Sequence, residues 1–151
     1  MQYWLMKSEP ATFGIEHLKT CPQRTSMWDG VRNYQVRNML RDDFKKGDLA
    51  FFYHSSCPAP GIVGMVEICC TGYPDPTAFI PSHDHYDPKS RRESPSWYVV
   101  DVKFKRDFEL ISLDELRQHA ALADMQVLKR GNRLSVTRIS PEEWTCILSL
   151  R

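Results

Sequence analysis

The residues best suited to chemistry in this chain are flat aromatics set beside polar groups. Trp28 stands two residues before Gly30, in a loop leading into a helix, a poor place for a core residue. Trp97 opens a strand on the face opposite Tyr98, Val100, Val102 and Phe104. Indole rings so placed can stack on a nucleobase, a contact worth about 1–3 kcal/mol per base. Trp28 is therefore expected to form one wall of a base pocket and Trp97 the second, with packing against the domain as the alternative at both. Asn33 and Arg37 fall at i, i+4 on one helix face, with Arg32 and Tyr34 in the same segment. An amide carries both donor and acceptor for a base edge, and a guanidinium suits a phosphate or a base carbonyl. Helix capping by Asn33 and solvation of Arg37 are the competing readings.

Lys7-Ser8 and His54-Ser55 end two strands that should lie near each other in a barrel. Strand ends supply amides and hydroxyls for reading a ligand edge, so Lys7, Ser8 and Ser55 join the candidate site; local turn bonding is the alternative for both serines. His54 has no cysteine or aspartate at catalytic spacing and reads as structural. His83-Asp84-His85, with Asp87, superficially suggests a metal site. Two imidazoles two apart on a proline-rich loop lack the helical i, i+4 geometry or the matched second pair of a zinc site, so no metal and no cofactor are expected. The basic residues Lys89, Arg91 and Arg92 on that loop are solvated or touch phosphate.

Composition narrows the function further. Hydrophobic residues make up 42% and charged residues 26% of the 151, ordinary for a globular chain of one domain, 1–151. No stretch approaches the roughly 20 apolar residues of a membrane span, and the first residues do not read as a signal peptide. The five cysteines, at 21, 57, 69, 70 and 146, form no C-x-x-C pair. Reduced thiols and a cytoplasmic location are the expectation. A formal net charge of +1 is small for a protein that holds nucleic acid by phosphate neutralisation, so any such function must rest on a local site. No G-x-S-x-G elbow, deaminase signature, P-loop or helical metal pair is present, which argues against an enzyme.

The elements that must position these residues follow from pattern. Strands are expected over 2–6, 49–54, 62–70, 97–106 and 133–136, with Gly64 marking a bulge or close approach. Helices are expected over 12–19, weakened by Gly14, and over 31–41. Capping boxes at Ser112–Glu115 and Ser140–Glu143 open two more. Residues 71–96, with five prolines, form a long irregular loop of the kind that is usually functional or mobile. Scattered helices around such strands suit an α+β domain built on a small mixed barrel.

Several segments together resemble the EVE domain family, a PUA-like family related in fold to the YTH readers of methylated RNA. They are Tyr3–Pro10, Trp28–Asn38, Phe52–Ser55, Gly61–Gly64, Tyr73–Thr77, Trp97 with its strand, and Gly131–Val136. Val36 and Arg138 depart from the family's usual Ala and Pro, and neither is expected at the pocket. The resemblance implies a PUA-like barrel whose pocket accepts a single base, in some relatives a modified cytosine. The reading is thus a non-enzymatic domain for DNA or RNA carrying a modified base. A small-molecule sensor or protein-interaction domain using the same pocket is the alternative.

Overall fold

The apolar runs of the chain pair into one six-stranded sheet in the computed structural model, which describes residues 1–151. Its strands are β1 (Tyr3–Ser8), β2 (Thr25–Met27), β3 (Leu49–His54), β4 (Gly61–Ile68), β7 (Asp101–Ser112) and β8 (Val136–Ile139). They lie in the order β2-β7-β4-β3-β1-β8. Only β1 and β3 run parallel. A two-stranded ribbon of β5 (Tyr73–Pro74) and β6 (Tyr98–Val99) closes the long loop. The helices are α1 (Pro10–Phe13), α2 (Ile15–Thr20), α3 (Tyr34–Asn38), α4 (Leu113–Arg117) and α5 (Pro141–Leu148). The expected α+β, PUA-like fold is therefore present. No helix is long and apolar enough to cross a membrane.

Both faces of the sheet are buried along β1 and β3, which explains why Tyr3–Met6 and Leu49–Tyr53 read as continuous apolar runs. Trp4, Met6, Ala50, Phe52, Val66, Val102 and Val136 pack on one side, under Leu18, Trp28, Val36 and Phe44. Leu5, Phe51, Tyr53, Ile62 and Ile111 pack on the other, against Leu116, Leu122, Trp144 and Ile147. Gly64 sits where the β4 register slips against both neighbours, and a Cβ there would meet Arg106 O at 2.7 Å. That is the close approach its place inside a strand suggests.

Several expected boundaries move, each for a local reason. The helix expected over 31–41 begins only at Tyr34, because Asn33 stays extended and its Oδ1 accepts the Val36 amide at 3.0 Å. It then widens into a π turn over Met39–Asp43. The helix expected over 12–19 splits at Gly14, whose ψ of 176° is extended. The last strand forms at 136–139 instead of 133–136: Asn132 Oδ1 takes the Leu134 amide at 2.9 Å and holds that stretch as a turn. Trp97 precedes its strand, and β7 runs on past Arg106 to Ser112. Cys69 and Cys70 lie beyond the end of β4. At α5 the capping box is complete, with Ser140 and Glu143 exchanging hydrogen bonds of 3.1 and 2.9 Å. At α4 only Ser112 caps, because the Glu115 carboxylate pairs with Arg151 instead.

Candidate nucleic-acid interface

The parallel pairing of β1 and β3 brings Ser8 opposite His54, as the sequence suggested for these strand ends. The Ser55 amide donates to Ser8 O at 2.9 Å. From there the chain folds back through α1. Ser8 Oγ donates to Phe13 O at 2.6 Å, and the Ile15 amide donates to His54 Nε2 at 3.1 Å. Burial holds the His54 imidazole below the ordinary histidine value, so it is a neutral acceptor that pins α2. These bonds leave an opening between β1, α1 and the 26–32 segment.

That opening consists of two adjoining recesses of about 270 and 340 Å³. Ser8, Thr12 and Asp29 line both. Phe13, Ser26, Met27 and Trp28 complete the first; Lys7, Glu9, Gly30, Val31, Arg32 and Ser135 complete the second. Lys7 is half-buried, and burial lowers its ammonium below the ordinary lysine value. Lys7, Ser8, Trp28 and Arg32 were legible in the sequence. Phe13, Thr12, Met27 and Asp29 were not, because they reach the recess only through the turn after β1 and the pairing of β2 with β7.

Trp28 is not the open wall that its loop position suggested. It is 7% exposed and belongs to the core, meeting Phe52 edge-on at 5.6 Å. Its amide donates to Val100 O at 2.8 Å, so the loop is stitched to the strand region behind it. Trp97 lines neither recess. It is buried, donates from Nε1 to Asp87 at 2.6 Å and stacks on Tyr34 at 4.7 Å. The Arg32 guanidinium covers Trp97, the Arg37 guanidinium covers Tyr34, and Arg37 also donates to Ser96 O at 2.8 Å. Asn33 caps α3. Tyr34, Arg37 and Trp97 therefore build a stack that clamps α3, with its Asn33 cap, to the long loop, and Arg32 joins this stack to the recess. Ser55 touches the site only through its backbone.

Asp75 is the anchor beneath this arrangement. Its side chain is fully buried and accepts from the Gly30 amide at 3.3 Å, Arg32 at 3.0 Å, and the Thr77 amide and hydroxyl at 2.8 and 2.6 Å. Burial alone would raise its pKa, but these donors together hold it below the ordinary carboxylate value. Arg32 donates a further bond to His85 O at 2.5 Å. Gly30 adopts a φ of 78°, and a Cβ there would lie 2.7 Å from His85 Cε1. Gly30→Ala should thus cost at least about 1–2 kcal/mol for the left-handed backbone alone. Urea unfolding reads that loss, and unchanged stability would show that the turn is not needed.

The long loop also folds His83 and His85 against the recess. Their ring centroids are 4.8 Å apart, and His85 Nδ1 lies 3.4 Å from Asp29 Oδ2. Asp87, the acid the sequence placed with them, is committed to Trp97 and to the Lys89 amide. Of the basic residues on this loop, Arg92 lies over Phe79 at 4.8 Å.

Fold and site together define a PUA-like domain with a polar recess at paired strand ends. The chain belongs to the EVE domain family, whose model matches residues 2–150. It is 46% identical to mouse thymocyte nuclear protein 1 over 166 aligned residues, 98% of this chain and 73% of that protein. A crystal structure of a Pseudomonas syringae protein is 46% identical with a TM-score of 0.90, each chain being 98% covered. The crystal structure of human THYN1 in complex with 5-methylcytosine-containing DNA is 43% identical with a TM-score of 0.93, covering 99% of this chain and 97% of that one.

Proposed function

We propose that this EVE domain is a non-enzymatic reader that takes one 5-modified cytosine of DNA into the recess between β1, α1 and the 26–32 segment. The observation that carries the reading is the recess itself, in a chain so similar to a protein solved with 5-methylcytosine-containing DNA. A cytosine presents its 4-amino group as a donor, and a carboxylate is the side chain suited to accept it. Asp29 fills that role. Ser8 donates its proton to Phe13 O and keeps lone pairs to accept a second contact. Phe13 and Met27 supply apolar surface for a 5-substituent, while Lys7 and Arg32 supply donors for the base carbonyl or an adjoining phosphate. Asn33, Tyr34, Arg37 and Trp97 hold this edge in place.

A near-neutral chain gains little from general phosphate attraction, so the base must provide the selectivity. The reading also keeps the expected cytoplasmic setting of a chain with five free thiols. Fluorescence anisotropy with matched oligonucleotides tests it. DNA with one 5-methylcytosine should bind roughly tenfold or more tighter than unmodified DNA, the scale of a methyl group in a fitted pocket. Phe13→Ala should remove that preference, whereas Asp29→Asn should weaken binding of both DNAs, since both present the 4-amino group. Equal affinity for both DNAs sinks the reading. A stronger response to RNA or to a free metabolite replaces it with an RNA reader or a small-molecule sensor.

A further inference from the structure

We propose that Asp29, His83 and His85 form a binding site for one divalent transition-metal ion of the zinc class at the rim of the recess. The sequence brings only two histidines together; the third ligand comes from the Trp28-Asp29-Gly30 turn, more than fifty residues away along the chain. One ligand atom from each of the three residues lies within 4.8 Å of the others. Around an ion with bonds of about 2.0–2.2 Å, neighbouring ligands stand roughly 3.3 Å apart, so small side-chain rotations complete the set. Two imidazoles and one carboxylate are a borderline-soft donor set that favours zinc, nickel or cobalt over calcium or magnesium.

Three further observations point to an ion. His85 Nδ1 is shielded from solvent yet has no hydrogen-bond partner, an arrangement that a metal ion would resolve. The Asp29 carboxylate makes no hydrogen bond within the protein and faces that nitrogen at 3.4 Å. Gly30 leaves just the space that the His85 ring occupies, so the turn is shaped to admit the imidazole. His83 accepts the His85 amide at Nδ1 at 3.0 Å; ligation through Nε2 keeps this bond, and ligation through Nδ1 gives it up. Three protein ligands leave a fourth position open. The ion would tie the long loop directly to the turn that lines the recess, taking Asp29 through Oδ2, the oxygen that faces His85, and leaving Oδ1 to the base.

Titration of the intact protein with zinc chloride alone, followed by calorimetry and by thermal unfolding, tests the site. Wild type should bind one ion and unfold at a higher temperature in excess zinc, because an ion that binds only the folded state stabilises it by mass action. His83→Ala and, separately, His85→Ala should weaken zinc binding tenfold or more and abolish the thermal shift. Cobalt substitution should give visible d–d bands without thiolate charge transfer, separating this site from the five free cysteines. Zinc binding unchanged in His83→Ala, absent in wild type, or accompanied by a thiolate band overturns the assignment. DNA binding enters none of these measurements, so they stand or fall apart from the base reading.

Discussion

Asp75→Ala should lower the stability of this protein by about 3–5 kcal/mol, near the lower end because Arg32 keeps some access to solvent. Asp75 is fully buried, and removing it strands the Arg32 guanidinium, the Gly30 amide and the Thr77 amide and hydroxyl at once. For a chain of this length the loss corresponds to a fall in Tm of roughly 10 °C. Asp75→Asn should cost less, since it keeps an acceptor for Thr77 and loses chiefly the charge facing Arg32. The pH dependence has a definite sign. The folded carboxyl titrates below its ordinary value, so its stabilisation is present above the unfolded pKa of about 3.9 and is lost as pH falls through the folded one. Wild type should therefore lose this contribution below about pH 4, and Asp75→Asn should lack that part of the acid sensitivity. Chemical denaturation of both proteins between neutral and acid pH measures it. An unchanged Tm in Asp75→Ala would remove Asp75 as the anchor of the recess.

Trp28→Ala should be at least as damaging, at about 3–5 kcal/mol for loss of a buried indole, including its edge contact with Phe52. This changes how a binding defect in that variant is read. Loss of DNA binding by Trp28→Ala reports unfolding of the recess as readily as loss of a stacking partner. Trp28→Phe keeps an aromatic ring against Phe52 and should retain most of the stability. If Trp28→Phe stays folded and loses base discrimination, the indole contacts the base; if it keeps discrimination, Trp28 only shapes the wall. Thermal unfolding beside anisotropy separates the two effects, and a Trp28→Ala protein as stable as wild type would show that the ring is not part of the core.

How much was legible beforehand depended on whether the information was local. Leu49–His54 has the residue range read from its apolar run, and Gly64 marks a true slip in register. Ser140 and Glu143 form the box that their spacing announces. Lys7 and Ser8 reach the recess because the end of β1 is a local fact and its neighbour β3 is equally clear. By contrast, Thr25–Met27 carries no strand pattern of its own and is a strand only because β7 pairs with it. Tyr34 and Arg37 sit on the right segment, but their partners Trp97 and Ser96 lie across the long loop. Phe13 and Asp29 gave no signal: one ends a four-residue helix, and the other was hidden beside a more conspicuous tryptophan.

The sequence by itself determined the family, the α+β class and the nearness of the two strand ends where the recess opens. The class and the strand ends follow from side-chain period and turn chemistry, which act over a few residues, and the family from the resemblance of whole segments such as Trp28–Asn38. Only the tertiary structure decided which aromatics are walls and which are core. Burying both faces of the sheet draws Trp28 under the surface, while Trp97 is taken up by Asp87 and Tyr34. Only the tertiary structure brought Asp29 to His83 and His85 and placed Asp75 under Gly30 and Arg32. Those groups are distant along the chain, and their meeting is set by how the long loop packs on the 26–32 segment.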